Sequence, residues 1–129
     1  WRTADAFGAD GIFLLPGCAE PFSPKTVRST MGACFRLPVW ETDLEQLTAL
    51  LKEAELPLYA TALSNHTADV RQADLSRAAV VIGSEGRGVS RPVLDACALT
   101  LKIPMRSRCE SLNAAVAASV VLWEGWRTL

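Results

Sequence analysis

Two segments constrain this chain more than any others: Ile82-Gly-Ser-Glu-Gly-Arg-Gly-Val-Ser90 and Ile103-Pro-Met-Arg-Ser-Arg-Cys-Glu-Ser-Leu-Asn113. In each, a short apolar run passes into a polar or glycine-rich loop and then toward a helix. In an α/β protein that order puts a ligand at the carboxyl ends of the strands. Two such loops close together in the chain point to one shared pocket. They favour a small-molecule or cofactor site over a purely structural domain.

The rest of the chain supplies the frame for that pocket. Gly11-Ile-Phe-Leu-Leu15, closed by Pro16-Gly17, fits a buried parallel strand. Ser23-Pro24 opens a helix with serine as N-cap and proline in the first turn. Phe35-Arg-Leu-Pro-Val-Trp40 reads as a second strand, bent or edged by Pro38. Thr42 or Asp43 caps a helix whose Leu44, Leu47, Leu50 and Leu51 form a core-facing stripe. Leu56–Thr61, Ala78–Ile82 and Ala98–Ile103 are further strands. A polar stretch, Ser64 to Gln72, lies between them, with a possible helical turn over Ala73–Arg77. Strands alternate with helices and no repeat intervenes, so the expectation is one α/β domain over 1–129 around a mostly parallel sheet flanked by helices.

Composition narrows the function. The chain has 129 residues, 50% of them hydrophobic and 21% charged, which suits a globular domain and excludes a disordered one. No apolar run approaches the ~18 residues that span a bilayer, so no membrane association is expected. Cys18, Cys34, Cys97 and Cys109 are widely spaced with no C-x-x-C pair, which suggests buried, reduced thiols and a cytoplasmic location. The single histidine, His66, has no partner at ligand spacing and reads as a surface loop residue, so no metal site is expected. A net charge of −1 gives no overall basic signature, and any RNA contact must come from a local patch. The chain opens on Trp1 and not on methionine, so the expectation is a longer natural protein.

From Leu112 to Trp126 alanines and valines make a helix that is apolar nearly all round. Such a helix must be covered on more than one side. A homodimer contact anchored by Trp123 and Trp126 is the expectation.

Gly83, Gly86 and Gly88 are spaced G-x-x-G-x-G, which is not the dinucleotide fingerprint. Glycines here let backbone approach a ligand or adopt positive φ. Taken in order, Arg2-Thr-Ala-Asp-Ala-Phe-Gly8, Ile82-Gly-Ser-Glu-Gly-Arg-Gly88 and Ile103-Pro-Met with Glu110-Ser-Leu-Asn113 resemble the three motifs of the SpoU (TrmH-type) RNA 2′-O-ribose methyltransferases of the SPOUT superfamily. The likeness runs through essentially the whole chain, including Ser23-Pro-Lys-Thr-Val-Arg-Ser-Thr-Met-Gly32.

The resemblance implies a C-terminal deep trefoil knot, which no periodicity reports. It implies S-adenosyl-L-methionine as cofactor and a ribose 2′-hydroxyl of rRNA or tRNA as methyl acceptor. By the same resemblance Arg2, Glu85, Ser111 and Asn113 are the catalytic positions. Thr61, Ala62, Leu63, Gly83, Ser84, Glu85, Gly86, Gly88, Ile103, Met105, Ser111 and Leu112 hold the cofactor. Arginine stays protonated under nearly all conditions, so Arg2 is better suited to hold phosphate and stabilise a developing alkoxide than to accept a proton. Arg87, Arg106 and Arg108, with Arg28, are the candidate RNA contacts within a wider set that includes Arg36 and Arg91. The resemblance also implies an upstream RNA-recognition extension and the asparagine and glycine that begin its first motif, so 1–129 reads as an N-terminally truncated catalytic domain. Ser107 stands where the family often has glycine. The alternatives are a knotted RNA-binding module without catalysis and a methyltransferase acting on a base or a non-RNA substrate.

Overall fold

The structure is a computed structural model that describes residues 1–62, 66–84, 86–109 and 111–129. The chain divides into two compact units, Trp1–Leu47 and Thr48–Leu129.

In the first unit, helix α1 (Arg2–Ala6) leads to strand β1 (Ile12–Leu14), helix α2 (Pro24–Ser29), a 3-10 turn (Ala33–Phe35) and strand β2 (Val39–Glu41). Strands β1 and β2 pair in parallel, Ile12 opposite Val39. Ser23 caps α2 as expected, its hydroxyl accepting from the Thr26 amide at 3.3 Å. The expected strand Phe35–Trp40 is displaced. Pro38 lacks an N–H, so the ladder begins only at Val39, while the Pro38 carbonyl accepts from the Ile12 amide at 3.0 Å. Phe35 lies instead in the exposed 3-10 turn.

Helix α3 (Leu44–Glu53) is capped by Asp43, which accepts from the Gln46 amide at 2.8 Å. Leu47 and Leu51 of its stripe are buried, but Leu50 is exposed, so the buried face is narrower than the leucine spacing suggests.

The second unit holds strands β3 (Leu58–Thr61), β4 (Thr67–Asp69), β5 (Ala79–Val81) and β6 (Leu99–Lys102), with helices α4 (Arg91–Ala96) and α5 (Ala114–Arg127). Their order is β4-β6-β3-β5 and every named pair is parallel. Among the described residues the expected single, mostly parallel sheet is thus two sheets, one of two strands and one of four. Strand β4 falls in the stretch read as a polar loop. It is an edge strand with all three residues half-buried, so it needs no apolar run to form. Ala73–Arg77 forms no helix.

Strand β6 lies between β3 and β4, although residues 62–66 alone join those two. Parallel strands in one sheet ordinarily need a crossover of about a dozen residues or more. Thr61 ends β3 on one side of β6, and Thr67 opens β4 on the other.

The core of this unit is Val70, Leu101 and Val121, with Tyr59, Ala73, Leu75, Val80, Leu99 and Ile103 packed around it. Burying each of the three central side chains contributes roughly 1.5–3 kcal/mol by removal from water. Val121 brings α5 onto the sheet, and a Cβ placed at Gly125 would lie 3.3 Å from Leu75 Cβ. Glu124, buried on the same helix, forms an ion pair with Arg127 and holds that guanidinium in its charged form.

The four cysteines are free. The expectation of buried thiols is corrected: Cys18 and Cys109 are exposed, and Cys34 and Cys97 half-buried, because none sits in the packed centre of either unit. His66 is exposed, as expected. Among the described residues no helix is long and apolar enough to cross a membrane, and no group of three or more His, Cys, Asp and Glu side chains gathers to hold a metal ion.

Candidate active site

Three parallel strands of the second unit, β6, β3 and β5, end side by side. Thr61 is level with Leu101, and Ala60 with Val81. The chain beyond each strand therefore leaves the sheet at one edge. With neighbouring strands ~4.8 Å apart, the outer two ends are separated by about 10 Å, the width of a nucleoside. Thr61 and Ala62 end the middle strand. Residues 83–88 follow β5, and residues 103–113 follow β6 and lead into α5.

The loop after β5 is closed by its own backbone. The Gly88 amide donates to the Ser84 carbonyl at 2.9 Å, and these two residues form an antiparallel bridge. Gly83 faces that bridge so closely that a Cβ there would lie 2.5 Å from the Gly88 carbonyl carbon. Gly86 and Gly88 adopt φ of 83° and 66°, and a Cβ at either would meet nothing within 4 Å. One glycine is thus required by close approach and two by left-handed backbone.

The loop after β6 starts from half-buried Ile103 and then turns outward. The Cys109 amide donates to the Arg106 carbonyl at 2.9 Å, closing a turn around Ser107. Ser107 is not among the residues with positive φ, so serine is accommodated there without left-handed backbone. Met105, Ser111 and Leu112 are exposed. Asn113 is the N-cap of α5, its Oδ1 accepting from the Ala115 amide at 2.9 Å and the Val116 amide at 3.3 Å.

Thr61, Ala62, Gly83, Ser84, Gly86, Gly88, Ile103, Met105, Ser111, Leu112 and Asn113 accordingly all lie on the segments that leave this sheet edge. Leu63 and Glu85 lie outside the described residues. Arg2 and Arg28 belong to the first unit, where both are exposed. The wider arginine set divides. Arg36 is engaged by Asp5 at 2.7 Å and Arg91 by Asp95 at 3.2 Å, whereas Arg87, Arg106 and Arg108 are exposed on the two loops themselves.

Asp69, level with Lys102 at the same sheet end, has its carboxyl lowered from 3.8 to about 2, first by hydrogen bonds from the Arg71 side chain and then from its backbone. A lowered carboxyl stabilises the fold fully above its ordinary value, and that contribution fades as pH falls toward 2. Two features here escaped the sequence reading. Thr67 and Thr100 face one another across β4 and β6, and the Thr61 hydroxyl bonds to β5. A β-branched residue in an otherwise polar stretch, Thr67, was the available signal for the missed strand.

A family model described as the SpoU rRNA Methylase family matches residues 1–123. The chain belongs to this family. Among curated relatives, the 23S rRNA (guanosine(2553)-2′-O)-methyltransferase RlmP of Bacillus subtilis is 37% identical over 122 residues, covering 95% of this SpoU chain and 49% of that protein. An AdoMet-bound rRNA methyltransferase of Sinorhizobium meliloti superposes with a TM-score of 0.90 at 35% identity, over 99% of this chain and 49% of the other. The SpoU methyltransferase AviRb of Streptomyces viridochromogenes, in complex with the cofactor AdoMet, superposes with a TM-score of 0.89 at 31% identity, over 98% and 53%. The SpoU chain thus spans about half the length of the relatives it matches.

Proposed function

We propose that this chain is the catalytic domain of an S-adenosylmethionine-dependent RNA methyltransferase that modifies a ribose 2′-hydroxyl of rRNA or tRNA. The observation that carries the reading is the convergence of three strand ends and their loops at one sheet edge. Family membership joins that edge to methyl transfer, and two methyltransferases of matching fold, one of them a SpoU enzyme, are known with AdoMet bound.

The residues present fit such a cofactor. Gly86 and Gly88 leave open space at their Cα atoms, so backbone amides and carbonyls can lie against a ligand. Met105 and Leu112 supply exposed apolar surface on the segment after β6, suited to a purine ring. When bound, the cofactor supplies an electrophilic methyl group on a sulfonium. The protein's task is to hold a 2′-hydroxyl in line with that methyl, an alignment that lowers such barriers by ~7–11 kcal/mol. Arg2 provides a permanent positive charge for the neighbouring phosphate and the developing alkoxide. Glu85, Ser111 and Asn113 complete the proposed catalytic set. Arg87, Arg106 and Arg108 offer their guanidinium groups to phosphates beside the cofactor, with Arg28 as a further RNA contact.

Asn113 carries two tasks in this reading, helix cap and catalytic group, and they separate by substitution. Asn113→Ala loses the cap, at a cost of about 1 kcal/mol. Asn113→Ser keeps a capping oxygen, so its melting temperature stays near that of the unsubstituted protein while methyl transfer falls about tenfold or more. Full activity in Asn113→Ser would leave the residue as a cap alone.

The fold reading includes a deep trefoil knot. Its support is β6 lying between two strands joined by residues 62–66, followed by α5. The assembly reading is a homodimer. Leu112, Val116, Ser119, Trp123 and Trp126 follow a four-three-four-three spacing along one stripe, and both tryptophans are 47% exposed with rings 5.5 Å apart. Trp123→Ser with Trp126→Ser shifts sedimentation from dimer to monomer at micromolar concentration and leaves the helical circular dichroism signal intact. A substituted protein that sediments as a dimer places the contact elsewhere. Free thiols and the nature of the proposed substrate support a cytoplasmic location.

The test combines calorimetry with labelled methyl transfer. The protein binds S-adenosylmethionine or its demethylated product with micromolar affinity or better, and transfers labelled methyl to an RNA ribose mapped by mass spectrometry. No binding heat in a folded sample overturns the cofactor reading. RNA binding without transfer leaves the non-catalytic module, and label on a base reassigns the acceptor.

A further inference from the structure

Residues 30–37 form a tight turn that is buried on one side and open on the other. Thr30, Ala33 and Leu37 are buried. The Ala33 amide donates to the Thr30 carbonyl at 3.0 Å, and the Leu37 amide to the Ala33 carbonyl at 2.9 Å. From the same turn Met31 and Phe35 project into solvent, 67% and 86% exposed. Two other phenylalanines of this unit have ring partners. Phe13 stacks on Trp40 with centroids 5.1 Å apart, and Phe22 meets Trp1 edge-on at 5.8 Å. Phe35 faces water from a backbone that is itself unusual. Met31 has φ of 50°, and Gly32 follows at 89°. Left-handed backbone is costly for a side chain such as methionine, and such positions gather at ligand sites.

Charge indicates what this turn meets. Residues 21–40 carry Lys25, Arg28 and Arg36 and neither aspartate nor glutamate, in a chain with 14 acidic and 13 basic side chains. Lys25 and Arg28 are exposed on α2. Arg36 is held by Asp5, through Nε at 2.9 Å and Nη2 at 2.7 Å. Its Nη1 lies over Gly32, where a Cβ would be 3.1 Å away. A second copy of this chain seated face to face on the segment would set like charges against each other. A polyanion with flat apolar groups complements both the cations and the ring, and an unpaired RNA strand is such a polyanion. Bases stacked inside an A-form duplex are beyond the reach of a ring on a short turn.

We infer that Phe35, with Met31 from the same turn, is a stacking platform for an unpaired base of the RNA, and that Arg28 and Lys25 hold phosphates of that strand. The inference rests on RNA as substrate in the function proposed above. It adds a preference for a single-stranded target.

Binding is measured without cofactor, by fluorescence anisotropy, against a labelled single-stranded oligoadenylate and a labelled hairpin duplex RNA. Phe35→Ala lowers affinity for the single strand about tenfold, the effect of losing one base–aromatic stack, and for the hairpin by less than about twofold. Phe35→Trp keeps the platform and binds the single strand at least as well as the unsubstituted protein. Phe35→Leu keeps apolar bulk without a π face and is as weak as Phe35→Ala. Arg28→Ala weakens both RNAs and reduces the slope of log affinity against log salt on the single strand by about 0.7, one phosphate contact. Because the Phe35 ring is exposed, its variants melt with the unsubstituted protein. In methyl transfer the Phe35→Ala loss falls on KM for RNA, with kcat within about twofold.

Unchanged single-strand affinity in Phe35→Ala overturns the inference. So does an equal loss on both RNAs. A Phe35→Leu protein that binds like the unsubstituted one overturns it as well, since the contact is then apolar and not a stack. A Phe35→Ala protein that sediments at lower mass assigns the ring to a contact between copies, and the platform fails. An unsubstituted protein that binds S-adenosylmethionine but neither RNA removes the platform and leaves the cofactor reading standing. The expected order on RNA, in a protein that binds no cofactor, keeps the platform and removes methyl transfer.

Discussion

Gly83→Ala abolishes measurable cofactor binding and lowers the melting temperature by about 5–10 °C. The added methyl would sit 2.5 Å from the Gly88 carbonyl carbon, 2.7 Å from the Val89 nitrogen and 2.9 Å from the Gly88 Cα. All three atoms are backbone, so no rotamer change relieves the collision. Residues 83 and 88 must move apart, which breaks the Gly88 amide bond to the Ser84 carbonyl. Overpacking of this kind costs ~1–3 kcal/mol, and the upper end applies where only backbone can yield. For a domain of this size that range corresponds to several degrees. Cofactor affinity falls further, by at least about 100-fold, since the same opening displaces the backbone groups at Gly86 and Gly88. Gly86→Ala is the control. Its methyl meets nothing within 4 Å, and the strain comes only from φ of 83°, at about 1–2 kcal/mol. Calorimetry and thermal melting of the two variants separate the effects. A Gly83→Ala protein that melts and binds like the unsubstituted one would show that the loop is not held closed in solution.

The glycine loop was legible because local chemistry determines it. An apolar run, then glycines, then a serine and proline, specifies strand, tight loop and helix within one short window. The caps at Ser23 and Asp43 were legible for the same reason, each answered by a bond to a backbone amide nearby in the chain. What escaped is non-local or marginal. Thr67-Ala-Asp69 reads as loop because an edge strand held by β6 alone needs no apolar face. The position of β6 between β3 and β4 leaves no trace in any window, since Leu99 to Lys102 would have the same apolar pattern in any order of strands. The expectation of a knot came from family resemblance alone, because no local pattern reports threading. The arginines show the opposite error. Composition treats Arg36 and Arg106 alike, yet Arg36 is committed to Asp5 while Arg106 projects from a loop at the candidate site.

Arg2→Ala lowers kcat for methyl transfer about 10²–10³-fold and leaves both the melting temperature and the cofactor affinity unchanged. The magnitude is that of removing one preorganised group that stabilises charge developing in a transition state. Stability is spared because the structural work of α1 is done by its neighbours. The Trp1 indole donates to the Leu37 carbonyl at 2.9 Å, Ala4 is buried, and Asp5 pairs with Arg36, while Arg2 itself is exposed. Arg2→Lys restores only part of the rate, since an ammonium is a point charge without the planar fork that grips a phosphate. The pH dependence of the lysine variant decides between two roles. A guanidinium held charged throughout the assay range cannot accept the 2′-hydroxyl proton, so electrostatic action predicts pH–rate profiles of the same shape for arginine and lysine. A proton-accepting role predicts instead that lysine, with its pKa ~2–3 units lower, lifts the rate toward alkaline pH ahead of the unsubstituted protein. Parallel profiles with a lower plateau for lysine establish the electrostatic role. A displaced profile overturns it.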